Sequence, residues 1–445
     1  MPSQFLQGIF APVTEEVTVF NLPVTGRIPT ALTGRFLRNG PNPLGVEDPE
    51  TYHWFMGEGM VHGIRLRDGK AEWYRNRWVR NQSVAEALGE QWPAGPVHET
   101  FDMAPNTHVI GHAGRTLALV EAGTLPYELS YELDTVGPCD FGGTLKGGYT
   151  AHTKKDPRTG ELHAIAYFFG WEFLRYTVID PAGAVVTTVD IPVSDGPMVH
   201  DLALTQRYVV IYDLPITFSV ELLKNNNAIP YGWNEEHQAR VGLLPRGGEA
   251  GDVMWFDVEP CWVFHTLNAY DDGDKVVVDL AKFPSFMRDG RLEDNPNPVL
   301  DRWTIDPASG KVLQETRDER AQEFPRVDER VVSLPHRYGY TVRTDTTFFD
   351  EKAGTSLIKH DYATGRSEER WHAREAGIAE AVFVPETPDA AEDDGYLMAY
   401  AYNAERGATD LMILSARDFS GEPVALVHLP VRVPAGFHGS WVPDE

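Results

Sequence analysis

Short runs of β-branched and aromatic residues recur along the whole chain, each stopped within a few residues by a turn signal. Residues 207–212 (RYVVIY), 275–280 (KVVVDL), 396–402 (YLMAYAY) and 411–414 (LMIL) are examples. Such residues fit a pleated, half-buried surface. The breaks between runs carry turn chemistry, as in Arg67-Asp68-Gly69-Lys70, Asp156-Pro157-Arg158-Thr159-Gly160 and Asp306-Pro307-Ala308-Ser309-Gly310. A related turn runs from Asp361 to Gly365. A strand–turn–strand unit repeated in this way is what the outer hairpins of β-propeller blades would give. Forty glycines and 32 prolines spread along the chain argue against long helices. Two short helices are expected, at Gln82–Leu88 and at residues 234–241. The expectation is an all-β chain, a single propeller domain over residues 1–445, closed by pairing of N- and C-terminal strands.

Bulk properties narrow the partners. A net charge of −27 repels nucleic-acid phosphate, so no nucleic-acid partner is expected. Two cysteines, Cys139 and Cys261, are too few for a disulfide framework, which points to a reducing, cytoplasmic setting. The first ten residues lack both a basic segment and a long apolar one, so no signal peptide is expected. No stretch has the uninterrupted apolar length of a membrane-spanning helix.

Among fifteen histidines, His152, His200, His265 and His438 each follow a small or apolar residue, belong to no compact motif and lie far apart. Such spacing suits a site gathered from separate units of a large scaffold, one ligand from each. Neutral imidazole suits iron, zinc, copper and nickel. Without a thiolate the set is a poor closed zinc site. It would need carboxylates to accept the outward ring N–H groups. From spacing alone, ordinary structural histidines remain an open alternative. His163, His360, His372 and His428 sit in polar strand or turn contexts and are expected to face solvent. His53, His62, His108, His112 and His336 read as hydrogen-bonded core or rim residues.

Longer motifs carry a resemblance. They are Phe36-Leu37-Arg38-Asn39-Gly40-Pro41-Asn42-Pro43, His53-Trp54-Phe55-Met56-Gly57-Glu58-Gly59-Met60-Val61-His62 and Glu323-Phe324-Pro325-Arg326. They continue with His336-Arg337-Tyr338-Gly339-Tyr340, Ala381-Val382-Phe383-Val384-Pro385 and Phe437-His438-Gly439-Ser440-Trp441. Over essentially its whole length the chain resembles the carotenoid cleavage oxygenases. These non-haem iron enzymes include apocarotenoid oxygenases, lignostilbene dioxygenases and the retinoid isomerase of vision. The resemblance implies a seven-bladed β-propeller with Fe(II) on its axis and a cap of helices and loops forming the substrate tunnel. It implies His152, His200, His265 and His438 as iron ligands. Glu121, Glu323 and Glu380 would accept the outward N–H groups of three of them, leaving His152 without a carboxylate. Thr107 would stand against an open iron position.

The implied reaction uses O2 to cleave a conjugated C=C bond of a carotenoid or apocarotenoid into two carbonyl products. The alternative is a stilbene or an isoeugenol-like phenylpropene. Trp54, Phe55, Phe101, Tyr127, Phe169, Trp171, Phe264 and Phe437 are candidates for the tunnel wall. In the lignostilbene branch a lysine precedes the first glutamate; here Val120 stands there, which favours a polyene, though Lys146 could substitute. The stretch from Leu214 to Trp233 offers Phe218, Val220, Leu222, Leu223, Ile229 and Trp233 for a tunnel mouth in weak peripheral contact with a membrane. A lid packed on its own domain is the other reading of that stretch.

Overall fold

The computed structural model describes residues 2–98, 101–288, 295–344, 356–372 and 377–444. Seven antiparallel sheets of four or five strands form the blades of a propeller, and a separate two-stranded ribbon joins Ile216–Phe218 to Tyr231–Trp233. Seven strands form corresponding edges of the seven sheets: His108–His112, Thr153–Lys155, Leu202–Leu204, Trp262–Asp272, Gln322–Arg326, Val382–Pro385 and Gly439–Pro443. Several of them touch the equivalent strand of the next sheet, as expected of strands around an axis.

Closure is reciprocal. The strand Gly439–Pro443 pairs with Gly34–Pro41, so the end of the chain completes the first blade. The strand Val24–Gly26 pairs with Ala425–His428, so an early strand completes the last blade. The expected pairing of N- and C-terminal strands is thus made twice.

Burial follows the layers. Second strands such as Leu162–Ala166 are buried throughout, whereas outer strands such as Val185–Pro192 and Lys311–Asp318 alternate or lie open. The Asp-x-x-x-Gly turns share one geometry. In each, the Asp carbonyl accepts from the Gly N–H, at 2.8 Å for Asp156–Gly160, 2.9 Å for Asp306–Gly310 and 2.8 Å for Asp361–Gly365. The Asp carboxylate also accepts from the backbone two residues on. Two of the three are outer hairpins, as expected. The turn at Asp156 instead joins the axial strand Thr153–Lys155 to its neighbour Leu162–Ala166, because turn chemistry sets a hairpin and not its layer.

The helix Gln82–Leu88 forms where expected, capped by the Asn81 side chain and ended by Gly89 in the left-handed region. No helix forms at residues 234–241. Residues 234–239 are a turn, and Arg240–Pro245 is the third strand of its blade. A second short α-helix among the described residues is Val220–Lys224, between the two strands of the ribbon. Among the described residues no helix is long and apolar enough to cross a membrane.

That turn carries a pH-sensitive contact. Buried His237 lies between two carboxylates, with Nδ1 2.9 Å from Asp195 and Nε2 2.8 Å from Asp213. Burial opposes its charge, but the two carboxylates outweigh it and raise its pKa. Its contribution to stability is therefore complete below the ordinary histidine value near about 6.5, and is lost as pH rises through the higher folded value. His237→Gln is expected to cost about 1–2 kcal/mol near about pH 5.5 and progressively less above about pH 7.5, read from denaturant midpoints across that range.

Two of the histidines expected to face solvent are buried. His163 bonds Tyr176 at 2.7 Å and Arg246 at 3.1 Å, and His360 bonds Gln322 at 2.8 Å. Their hydrogen-bond partners arrive from other strands, which the local sequence does not show. His372 and His428 are half-buried.

Candidate metal centre

The axial strands deliver the four histidines. His152 directly precedes Thr153–Lys155, His200 lies just before Leu202–Leu204, and His438 directly precedes Gly439–Pro443. His265 lies within Trp262–Asp272, where the register against the next strand slips between Val263 and Thr266. A bulge of this kind re-aims a side chain. Nitrogens of all four rings lie within 4.8 Å of one another, and the Nε2 atoms of His200 and His265 are 3.3 Å apart.

Three carboxylates stand behind them. His200 Nδ1 is 3.0 Å from Glu121, His265 Nδ1 is 2.6 Å from Glu323, and His438 Nδ1 is 2.9 Å from Glu380. Fixing Nδ1–H in this way frees each Nε2 lone pair for a ligand. Glu323 and Glu380 occupy the axial positions of the two blades between those of His265 and His438. Each is 58 residues from its histidine, one blade away. His152 makes no carboxylate hydrogen bond among the described residues, and its Nε2 is buried without a partner.

The three pairs differ electrically. Burial pushes the pKa of Glu323 up to about 8 and holds His265 well below its ordinary value, so both are neutral near pH 7. Burial opposes the charge on Glu380, but Arg326 and His438 outweigh it and hold the carboxyl well below the usual range. Burial lowers His438 to about 4 and holds His152 well below 6.5. His200 is raised: burial opposes its charge, and Glu121 more than offsets that. Neutral imidazoles are the ligating form. Converging nitrogens and an orphaned buried Nε2 fit a metal ion.

Two cavities meet at the cluster. One, of about 480 Å³, is walled mostly by apolar side chains and reaches His200, His265 and His438. The other, of about 870 Å³, has a mixed polar and apolar wall and reaches His152, His265 and His438 beside Lys154, Asp201 and Arg326. The apolar cavity is lined by Thr107, Trp54, Phe55, Phe101, Phe169, Phe264 and Phe437. Thr107 sits directly before an axial strand; its carbonyl accepts the His438 N–H at 3.1 Å.

Two tunnel candidates lie elsewhere. Tyr127 is wholly buried within its blade, its hydroxyl bonded to Asp102 at 2.7 Å. Trp171 stacks on Phe173 at 4.5 Å under the Arg175 guanidinium. The wall also contains Met103, Tyr167, Tyr231, Phe283 and Phe324, which the sequence reading did not single out. Phe324 stacks on His265 at 5.5 Å and sits in the left-handed region at φ 51°. Its place directly after Glu323 is the signal that could have found it. Lys146 is exposed and does not line this cavity.

The stretch from Leu214 to Trp233 divides. Leu214, Ile216 and Tyr231 are buried, Phe218, Leu223 and Ile229 line the cavity, and Arg288 covers Trp233 at 4.8 Å. Leu223 and Phe101, which line the cavity, are 51% and 49% exposed, and Val220 on the same short helix as Leu223 is 53% exposed.

A sequence profile of the retinal pigment epithelial membrane protein family matches residues 10–443. The chain belongs to this family. A carotenoid cleavage oxygenase of Mycobacterium tuberculosis is 48% identical, the match covering 99% of this chain and 97% of the relative. Among solved structures, the lignostilbene dioxygenase of Pseudomonas brassicacearum superimposes with a TM-score of 0.89 at 29% identity, covering 99% of both chains. The cobalt-substituted apocarotenoid oxygenase of Synechocystis does so with a TM-score of 0.86 at 26% identity, covering 97% of both. The chain is thus a seven-bladed oxygenase of the carotenoid cleavage family, with a four-histidine cluster that points to a metal site.

Proposed function

We propose that this oxygenase uses Fe(II) and O2 to cleave a conjugated C=C bond of a carotenoid or apocarotenoid, giving two carbonyl products. One observation carries the reading: a cluster of four imidazoles with no thiolate among them presents three, His200, His265 and His438, to an apolar cavity whose described wall holds no Lys or Arg. His152, His200, His265 and His438 would hold the iron, with Glu121, Glu323 and Glu380 fixing three of the rings. Bound there, Fe(II) would supply the activation of O2.

The chain's own residues position the alkene and exclude water. Phe437 packs on Trp54 at 4.7 Å and on Phe55 at 5.6 Å, and Phe264 packs on His200 at 4.9 Å. Such a wall holds a flat, rigid polyene close to the histidines, and its ring faces stabilise cationic character along it. Thr107, in the cavity lining and tied to His438 through its carbonyl, would stand beside an open position of the metal. Away from the metal end, a phenolate or carboxylate in this cavity would meet no Lys or Arg side chain, and burying an unpaired charge is costly.

The likeness to a lignostilbene dioxygenase favours a second reading, cleavage of a stilbene or phenylpropene. Tyr167, Tyr231 and Asn227 in the wall offer polar atoms to a phenol. Turnover of an apocarotenal, resveratrol and isoeugenol by the iron-loaded enzyme separates the two. We expect kcat/KM for the apocarotenal to lead by at least about 10-fold. Activity on the phenolics alone overturns the polyene reading. The protein works in the cytoplasm, its rim of Phe101, Val220 and Leu223 touching membranes weakly. The charge of −27 makes that contact apolar rather than electrostatic.

A further inference from the structure

The three carboxylates behind the histidines are anchored in different ways. Glu323 also accepts from the backbone N–H of its neighbour Phe324. Glu380 accepts from Arg326 at 2.9 Å and from the Gly439 N–H at 3.0 Å. Glu121 accepts from a side chain of the cavity wall: the Tyr167 hydroxyl donates to Oε1 at 2.7 Å. That oxygen is the one facing His200 Nδ1. The other oxygen, Oε2, is buried and has no partner. The orientation of Glu121 therefore rests on one oxygen shared by two donors.

The loop carrying Glu121 is fitted closely to Tyr167. Ala122 and Gly123 both adopt positive φ, 59° and 78°. A Cβ on Gly123 would lie 2.5 Å from the Tyr167 carbonyl oxygen, so no larger residue fits there. Tyr167 directly follows the strand Leu162–Ala166, and its ring meets Tyr231 of the ribbon edge-on at 5.7 Å. Tyr231 in turn meets Phe169 at 5.8 Å and Phe218 at 5.9 Å.

We infer that Tyr167 is a positioning residue: it holds Glu121, and through it His200, in the orientation that presents His200 Nε2 to the metal. The inference rests on the reading of His200 as a metal ligand. Burial and the charge of Glu121 keep the Tyr167 hydroxyl protonated, so it remains a donor at neutral pH.

The test is an anaerobic titration of metal-free protein with Co(II), following its visible ligand-field bands. Wild type, Tyr167→Phe, Glu121→Gln and Phe169→Leu are compared, with steady-state kinetics of the iron-loaded forms. Tyr167→Phe removes one oxygen and keeps the ring. Loss of a carboxylate partner of a metal-bound histidine costs about 10–100-fold in affinity, and Tyr167 stands one contact further out. We expect Co(II) to bind Tyr167→Phe about 3- to 10-fold more weakly, with bands shifted in the direction of Glu121→Gln. Its kcat should fall with KM little changed. Phe169→Leu, which alters the wall without touching Glu121, should raise KM and leave the bands at their wild-type positions. Wild-type bands and affinity in Tyr167→Phe, or a change in KM alone, would reduce Tyr167 to a wall residue and overturn the inference. A wild-type protein that takes up no Co(II) overturns the metal reading itself, and this inference with it.

Discussion

Replacing His265 by alanine is expected to remove iron and activity together while the propeller stays folded. The His265 ring sits among the other three, with centroids 4.9 Å from His152, 5.1 Å from His200 and 4.6 Å from His438. Its loss leaves three imidazoles and one side of the site open to water. The fold should survive because no charge is stranded. Burial already pushes Glu323 up to about 8, so near pH 7 it is a neutral acid that has lost one hydrogen bond. We expect iron content to fall to roughly a tenth of wild type or less, with turnover below detection. Elemental analysis of the purified variant checks the first, and circular dichroism with a thermal melt checks the fold. Full iron content in this variant would remove His265 from the ligand set.

Arg326→Met should have the largest effect on stability. Arg326 reaches Glu380 at 2.9 Å, the Gly439 carbonyl at 3.1 Å and Glu329 at 2.8 Å. Glu380 itself is buried and bonds His438 and the Gly439 N–H. Arginine and glutamate thus clamp the residue that follows His438. Removing the arginine leaves a buried carboxylate without its main cation, which costs about 3–5 kcal/mol. The pKa of Glu380 is held low in the fold, so its contribution exists above the ordinary glutamate value near about 4.3 and is lost as pH falls. The gap in urea midpoint between variant and wild type should therefore be wide at neutral pH and narrow in acid. Arg326→Met combined with Glu380→Met should recover part of the loss, because it strands no charge. A single variant as stable as wild type would show that the pair does not hold the site.

Strand periodicity and turn chemistry are local, and they made an all-β repeat fold legible in the sequence. The four histidines and three glutamates became legible through the motifs around them. The aromatic wall did not, because a strand residue facing a blade core and one facing a cavity look alike in sequence. Tyr127 and Tyr167 show this: both end up buried, one bonded to Asp102 inside a blade and one bonded to Glu121 at the cavity. The turn at residues 234–239 was misread because its order comes from Asp195 and Asp213, distant in the chain. His163 and His360 were misread for the same reason, since their partners Arg246 and Gln322 arrive from other blades or strands.

The reciprocal closure sets an order of assembly. His438 is carried into place by Gly439–Pro443, the last strand of the chain, which must find Gly34–Pro41, among the first to be made. During synthesis the other three histidines exist well before the fourth, and the emerging chain holds an incomplete set until its end is free. On the proposed reading, the full set of four ligands would come together only when this strand pairs. A variant cut before residue 438 would lack both the strand that completes the first blade and the fourth histidine of the cluster.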